Sequence, residues 1–152
     1  MRQENRIFIR PFTPLDIERI LEIEKSSFTF DAFSEKTFEN LYNKCPDLFI
    51  VAEIEGLVIG YMIISIFGDK SNVISIAVDP DYRRKGTGRI LMEYALEKLK
   101  NHSIESVELE VRVTNFAGIK FWNSLGFSSL RFIDKFYSNG QNAIKMRKIL
   151  IK

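Results

Sequence analysis

Ile76-Ala77-Val78-Asp79-Pro80-Asp81-Tyr82-Arg83-Arg84-Lys85-Gly86-Thr87-Gly88-Arg89 joins an apolar run to a basic turn with two glycines and then to a helical pattern. Glycines at 86 and 88 let main chain approach a ligand closely. The unpaired N–H groups of a helix start, with the positive end of its dipole, attract anionic oxygens. Arg83, Arg84, Lys85 and Arg89 add charge. The stretch therefore has the composition of a diphosphate-binding loop. An ordinary strand-to-helix turn with a solvated basic rim would use the same residues. Two better-known phosphate loops are excluded by spacing. A Walker A loop needs its glycines five apart before Lys and Ser or Thr, and the dinucleotide fingerprint needs a glycine where Leu91 stands.

Upstream, Arg6 to Arg10 alternates as a strand ending at Pro11, and Thr13-Pro14-Leu15-Asp16 starts a helix expected to run to about Ser26. Ser34 to Lys44 reads as a short second helix closed by Cys45-Pro46. Leu48–Ile54 and Leu57–Phe67 read as a hairpin about Glu55-Gly56, and Gly68-Asp69-Lys70-Ser71 turns the chain into a strand over Val73–Val78. Downstream, Ile90, Leu91, Tyr94, Ala95 and Leu99 carry helical periodicity, Val107–Val113 alternates as a strand, and Asn115 caps a helix over Phe116–Leu125 that Gly126 stops. Phe127–Tyr137 and Ala143–Ile151 form a last hairpin about Ser138-Asn139-Gly140. The order β-α-α-β-β-β-α-β-α-β-β predicts an α/β fold with a central mixed sheet flanked by helices. The strands on either side of the third helix should be parallel neighbours in a right-handed βαβ unit, with a ligand at their carboxyl ends.

A chain of 152 residues with 45% hydrophobic content has the size of one domain, taken as 1–152. Twenty-two basic against 20 acidic residues leave a formal charge of +2, which gives no electrostatic reason to expect nucleic acid. The single Cys45 allows no internal disulfide and suits a reducing compartment. The opening Met-Arg-Gln-Glu-Asn has no apolar signal core, and no window approaches the ~18 consecutive apolar residues of a membrane span, so a cytoplasmic location is expected. With one histidine, His102, on a polar turn, no metal site is expected.

The element order, the loop Arg83-Arg84-Lys85-Gly86-Thr87-Gly88 and the segment Leu109-Glu110-Val111-Arg112-Val113-Thr114-Asn115 together resemble the GCN5-related N-acetyltransferase (GNAT) superfamily. Ala117, Ile119, Leu125-Gly126-Phe127, Ile23-Glu24 and Phe33-Ser34-Glu35-Lys36-Thr37-Phe38 make it similar to the RimI-type branch and its archaeal relatives, which acetylate protein N-termini. The resemblance implies a single N-acetyltransferase domain using acetyl-CoA. It implies that main chain of Ile76, Ala77 and Val78 pairs with the pantetheine arm, that Arg83, Arg84, Lys85, Gly86, Thr87, Gly88 and Arg89 cradle the diphosphate, and that Asn115 reaches the cofactor near its thioester. Protein or peptide N-termini, ribosomal proteins among them, are the implied partners, with no nucleic acid, no membrane, and a monomer or weak homodimer as the expected state.

In this superfamily the amine attacks the thioester directly, so no covalent nucleophile is needed and Cys45 is read as incidental. Losing a proton is easier for an α-amine, of pKa ~8, than for a lysine, of pKa ~10.4, a gap of about 3 kcal/mol. Glu110 matches the general-base position, although by alternation alone it is a polar-face residue, with Glu108 as competitor. The pattern's proton-donating tyrosine is replaced here by Trp122, whose indole is no useful acid; Tyr137 is the substitute, as donor or as part of the peptide groove. Trp122 equally fits a core-facing stripe. Phe30 and Phe33 are candidates for an apolar wall around the acceptor's first side chain, or for packing between the first two helices. A polyamine acetyltransferase with an acidic pocket built from Glu24, Asp31 and Glu35 is the alternative enzyme, and a nucleic-acid-binding module is the non-enzymatic one.

Overall fold

The computed structural model describes residues 6–28 and 31–150. Its elements follow the expected order: β1 (Phe8–Pro11), α1 (Ile17–Ser27), α2 (Glu35–Lys44), β2 (Phe49–Ile54), β3 (Leu57–Phe67), β4 (Lys70–Val78), α3 (Thr87–Lys100), β5 (Ser106–Arg112), α4 (Phe116–Ser124), β6 (Ser128–Ile133) and β7 (Ala143–Ile149). The strands form one mixed sheet in the order β1-β2-β3-β4-β5-β7-β6, flanked by helices. The chain divides into two compact units, Met1–Ser65 with Ile74–Lys98, and Ile66–Val73 with Leu99–Lys152.

In the first unit, a 3-10 turn over Pro14–Asp16 precedes α1, because proline presets φ and the Asp16 carboxylate reaches back to the Thr13 amide at 2.9 Å. Ser34 caps α2 by accepting from the Thr37 amide at 3.2 Å. Ile20 and Ile23 of α1 and Phe38 of α2 are buried against Phe49, Val51, Tyr61 and Ile63 of β2 and β3. Phe12 stacks on Phe49 at 4.0 Å, and Phe38 meets Tyr61 edge-on at 5.7 Å. Of the chain's 13 phenylalanines, Phe12, Phe28, Phe33, Phe38 and Phe49 belong to this core or pack against it. Along α3, Leu91, Met92 and Ala95 are fully buried, the stripe of an amphipathic helix.

Asp16 also accepts two hydrogen bonds from the Arg10 guanidinium, each 2.9 Å. Burial pushes its carboxyl up, but Arg10 and the Thr13 amide outweigh this and hold it below the ordinary 3.8. A depressed carboxyl contributes stability above its unfolded pKa and loses it as pH falls through the folded value. Asp16→Asn is expected to cost about 1–2 kcal/mol at pH 7, discounted for the partly solvated Arg10. Thermal denaturation against pH should show that deficit shrinking below about pH 4.

In the second unit, β5 alternates: Val107, Leu109 and Val111 are buried, while Glu108, Glu110 and Arg112 are half-buried on the other face. β7 runs antiparallel beside it, placing Glu108 opposite Arg147, Leu109 opposite Met146 and Glu110 opposite Lys145, and β6 pairs with the far edge of β7. Trp122 of α4 packs edge-on against Phe121 at 4.9 Å and Phe127 at 5.2 Å. The parallel pairing of β4 with β5 is present, joining Lys70–Asn72 to Ser106–Glu108.

Among the strands, two boundaries differ from the sequence expectation by three residues or more. Strand β4 begins at Lys70 rather than Val73, because Gly68, at φ +60°, completes the turn within two residues. Strand β6 ends at Ile133 rather than Tyr137: Lys135 takes φ +52° and its amide donates to the Asn142 side chain at 2.8 Å, so residues 134–142 form a loop. Tyr137 consequently sits on a loop.

Candidate active site

The first unit carries the basic loop. Asp79 ends β4 with its amide bonded to the Ile59 carbonyl at 2.7 Å, and its side chain accepts from the Asp81 amide at 2.8 Å and from Arg19. Burial raises the Asp79 carboxyl, but the Asp81 amide and Arg19 together bring it below the usual range. Pro80–Tyr82 form a 3-10 turn, and Arg84 and Gly86 then take φ of +65° and +82°. The Ile90 amide of α3 reaches back to the Gly86 carbonyl at 3.0 Å, and α3 begins at Thr87. Thr87, Gly88 and Arg89 thus lie in the first turn, where a helix leaves amides without intrahelical partners.

Three observations make this loop fit the diphosphate end of a coenzyme. A Cβ built on Gly86 would meet nothing within 4 Å, so the bend faces open space. The Thr87 hydroxyl is buried and unpartnered among the described residues. Lastly, a Cβ on Gly60 would come within 3.0 Å of the Ala77 carbonyl and 3.5 Å of the Thr87 methyl, so β3 presses closely on β4 and the start of α3 at this glycine. Gly60 was not singled out from sequence. Arg83 donates to the Val78 carbonyl at 3.0 Å and the Ser27 hydroxyl at 3.1 Å, tying the end of β4 to the end of α1. Among Ile76, Ala77 and Val78 only Ala77 is buried, and the described β4–β5 register pairs Lys70–Asn72 rather than these residues.

Also in this unit, Glu24 is 1% exposed and accepts from the Tyr61 hydroxyl and, at 2.8 Å, from the Phe33 amide. Burial dominates and holds its carboxyl above the ordinary value. Phe33 packs edge-on against Phe38 at 5.6 Å, so its ring is anchored in the core. Phe30 lies outside the described residues.

The second unit carries the acid–base candidates. Glu110 pairs with the Lys145 ammonium at 2.8 Å and accepts a long hydrogen bond from the Asn72 amide group at 3.4 Å. Glu108 is tied to Lys145 at 3.3 Å and Arg147 at 3.1 Å; burial raises its carboxyl, and these two cations bring it below the usual range. Tyr137 lies under the Arg112 guanidinium, 3.9 Å from its ring centroid, and Arg112 also bonds to Gln141 and, at 3.4 Å, Asn139. Asn115 caps α4 through the Gly118 amide at 2.9 Å; a Cβ on Gly118 would lie 2.8 Å from its Cγ. Trp122 is 6% exposed, which places the indole with the core stripe.

The chain belongs to the acetyltransferase (GNAT) family, whose model matches residues 17–127. It is accordingly an N-acetyltransferase that uses acetyl-CoA. It is 32% identical to the [ribosomal protein bS18]-alanine N-acetyltransferase of Escherichia coli over 80% of this chain and 81% of that protein. With the N-alpha-acetyltransferase of Sulfolobus acidocaldarius it shares 30% identity over 91% and 89% of the two chains. The crystal structure of Ard1 from Thermoplasma volcanium superposes with a TM-score of 0.92 at 31% identity, covering 96% of this chain and 99% of that one. Among the described residues no helix is long and apolar enough to cross a membrane.

Proposed function

We propose that this chain transfers acetyl from acetyl-CoA to the N-terminal α-amine of proteins, with Glu110 as the base. The observation that carries the reading is the half-buried Glu110 carboxylate on the polar face of β5, in a chain similar over most of its length to enzymes named for that reaction. Ribosomal-protein N-termini are one acceptor class consistent with the first of those relatives. In this reading amides of the bend from Arg84 to Arg89 hold the diphosphate, main chain of Ile76–Val78 pairs with the pantetheine arm, and Asn115 lies toward the thioester. When bound, acetyl-CoA supplies the acyl group as a thioester open to direct attack by an uncharged amine.

Glu110 takes the proton from the acceptor nitrogen, directly or through one water, which is a modest demand for a group of pKa ~8. Tyr137 supplies a hydroxyl where Trp122 has none to offer, and its clamp under Arg112 fixes the ring. A thiol of pKa ~8.5 also leaves tolerably without full protonation. Phe33, held by its core packing and by Glu24, lines the approach for the acceptor's first side chain.

The polyamine alternative loses support from Glu24. A polycation pocket needs solvent-facing carboxylates, and Glu24 is buried with both oxygens engaged. Thiol release from acetyl-CoA, with mass spectrometry of the product, should show turnover with short peptides bearing free α-amines and little with spermidine. Turnover with spermidine alone would overturn the assignment.

A further inference from the structure

The carboxylate read as the base shares its cation with a neighbour. Lys145 Nζ lies 2.8 Å from Glu110 Oε2 and 3.3 Å from Glu108 Oε1, and the second oxygen of Glu108 is held by Arg147 Nε at 3.1 Å. All four side chains are presented on one face by the β5–β7 register, and all are at most about one-third exposed, with Lys145 at 14%. Among the described residues this face also carries Arg112 of β5, two residues beyond Glu110, Asn72 of β4, in contact with Glu110, and Arg131 of β6, exposed and opposite Lys145 in register.

We propose that Lys145 is a positioning residue shared by two carboxylates: it holds Glu110 in place before proton transfer and falls back on Glu108 when Glu110 is neutralised. The inference rests on the reading of Glu110 as the base. A lysine this buried would be left with an uncompensated charge if its only partner took up a proton. Glu108 removes that penalty, because Arg147 fixes its carboxylate and both cations keep it ionised. Lys145 itself stays protonated: burial disfavours its charge, but the two carboxylates more than offset this and raise its pKa above the ordinary 10.5. In the step, one proton passes from the acceptor nitrogen to Glu110. The nitrogen–carbon bond forms, the carbon–sulfur bond breaks, and the departing thiolate takes a proton from Tyr137 or water. Lys145 loses no proton and changes only which carboxylate it favours.

The test is the pH profile of kcat/KM with one peptide acceptor at saturating acetyl-CoA. The acceptor's own titration is then common to every variant. Lys145→Met keeps an apolar stem of similar length but removes the charge that favours ionised Glu110, so the acid limb should move up by about one pH unit. Glu108→Gln leaves Lys145 with Glu110 alone, so the limb should move down by about half a unit. Lys145→Arg should return it close to the wild-type position. A merely structural role would change melting temperature or overall rate without opposite displacements of one limb. Limbs that coincide in all variants, or move in the same direction, overturn the proposal while leaving Glu110 as the base if Glu110→Gln is slow. Full activity in Glu110→Gln overturns both.

Discussion

Glu110→Gln should lower kcat for a peptide acceptor by about 10²- to 10³-fold near pH 7, with acetyl-CoA affinity unchanged within about twofold. The substitution preserves shape, and the amide oxygen still accepts from Lys145, so the β5–β7 register that holds Glu110 opposite Lys145 is retained. What is lost is a proton acceptor. Near neutral pH most of an α-amine of pKa ~8 carries a proton, and the attacking nitrogen must shed one in the reaction. As pH rises above about 9 the free amine and hydroxide take over this task, so the deficit should narrow. Thiol release with saturating peptide between pH 6 and 10, alongside a calorimetric titration with acetyl-CoA, reads both quantities. A deficit constant across that range would assign Glu110 a binding or structural role. No deficit at all would transfer the question to Glu108, whose two cation partners make it a poor acceptor.

The element order was legible because each signal was local. Thr13-Pro14-Leu15-Asp16, Ser34, Asn115 and Gly126 mark helix ends by rules that operate within a few residues, and the observed helices begin and stop there or within a few residues. The bend at Gly86 was legible for the same reason. What escaped was non-local. Lys145 was not singled out from the sequence, which showed only a strand over Ala143–Ile151. That it faces Glu110 depends on β7 inserting between β5 and β6, a register spanning 35 residues that no local pattern reports. Asn72 was hidden by a boundary, since starting β4 at Val73 left it in a turn. The signal was an amide residue of poor strand propensity beside a β-branched run. Glu24 was counted among the acids of an alternative polyamine pocket, yet it is buried with Ile20 and Ile23, and its Tyr61 and Phe33 partners make that burial tolerable. The interplay of Gly60 with Ala77 and Thr87 depends on close backbone approach across two strands, and a lone glycine in an apolar run does not distinguish it from a bulge.

Gly86→Val should weaken acetyl-CoA binding by about 30- to 100-fold while leaving kcat at saturating cofactor within about threefold of wild type. Two effects add. At φ +82° a β-branched residue is strained, so the bend either stores roughly 1–3 kcal/mol or relaxes and turns the first-turn amides of α3 away from their present direction. In addition, the space a side chain would enter is open, so valine creates no internal clash and instead projects into the region an anion must occupy to reach those amides. Asparagine tolerates left-handed geometry far better than valine, so Gly86→Asn separates the two contributions. If strain dominates, it should recover most of the affinity; if obstruction dominates, it should recover little. Calorimetry with acetyl-CoA and with 3′-dephosphocoenzyme A, each compared with wild type, localises the loss. A defect at the diphosphate is common to both ligands, whereas one that disappears for the second ligand would move the contact away from this bend. Unchanged affinity for both would remove the glycine bend from cofactor binding, and the basic residues around it would then be a solvated rim.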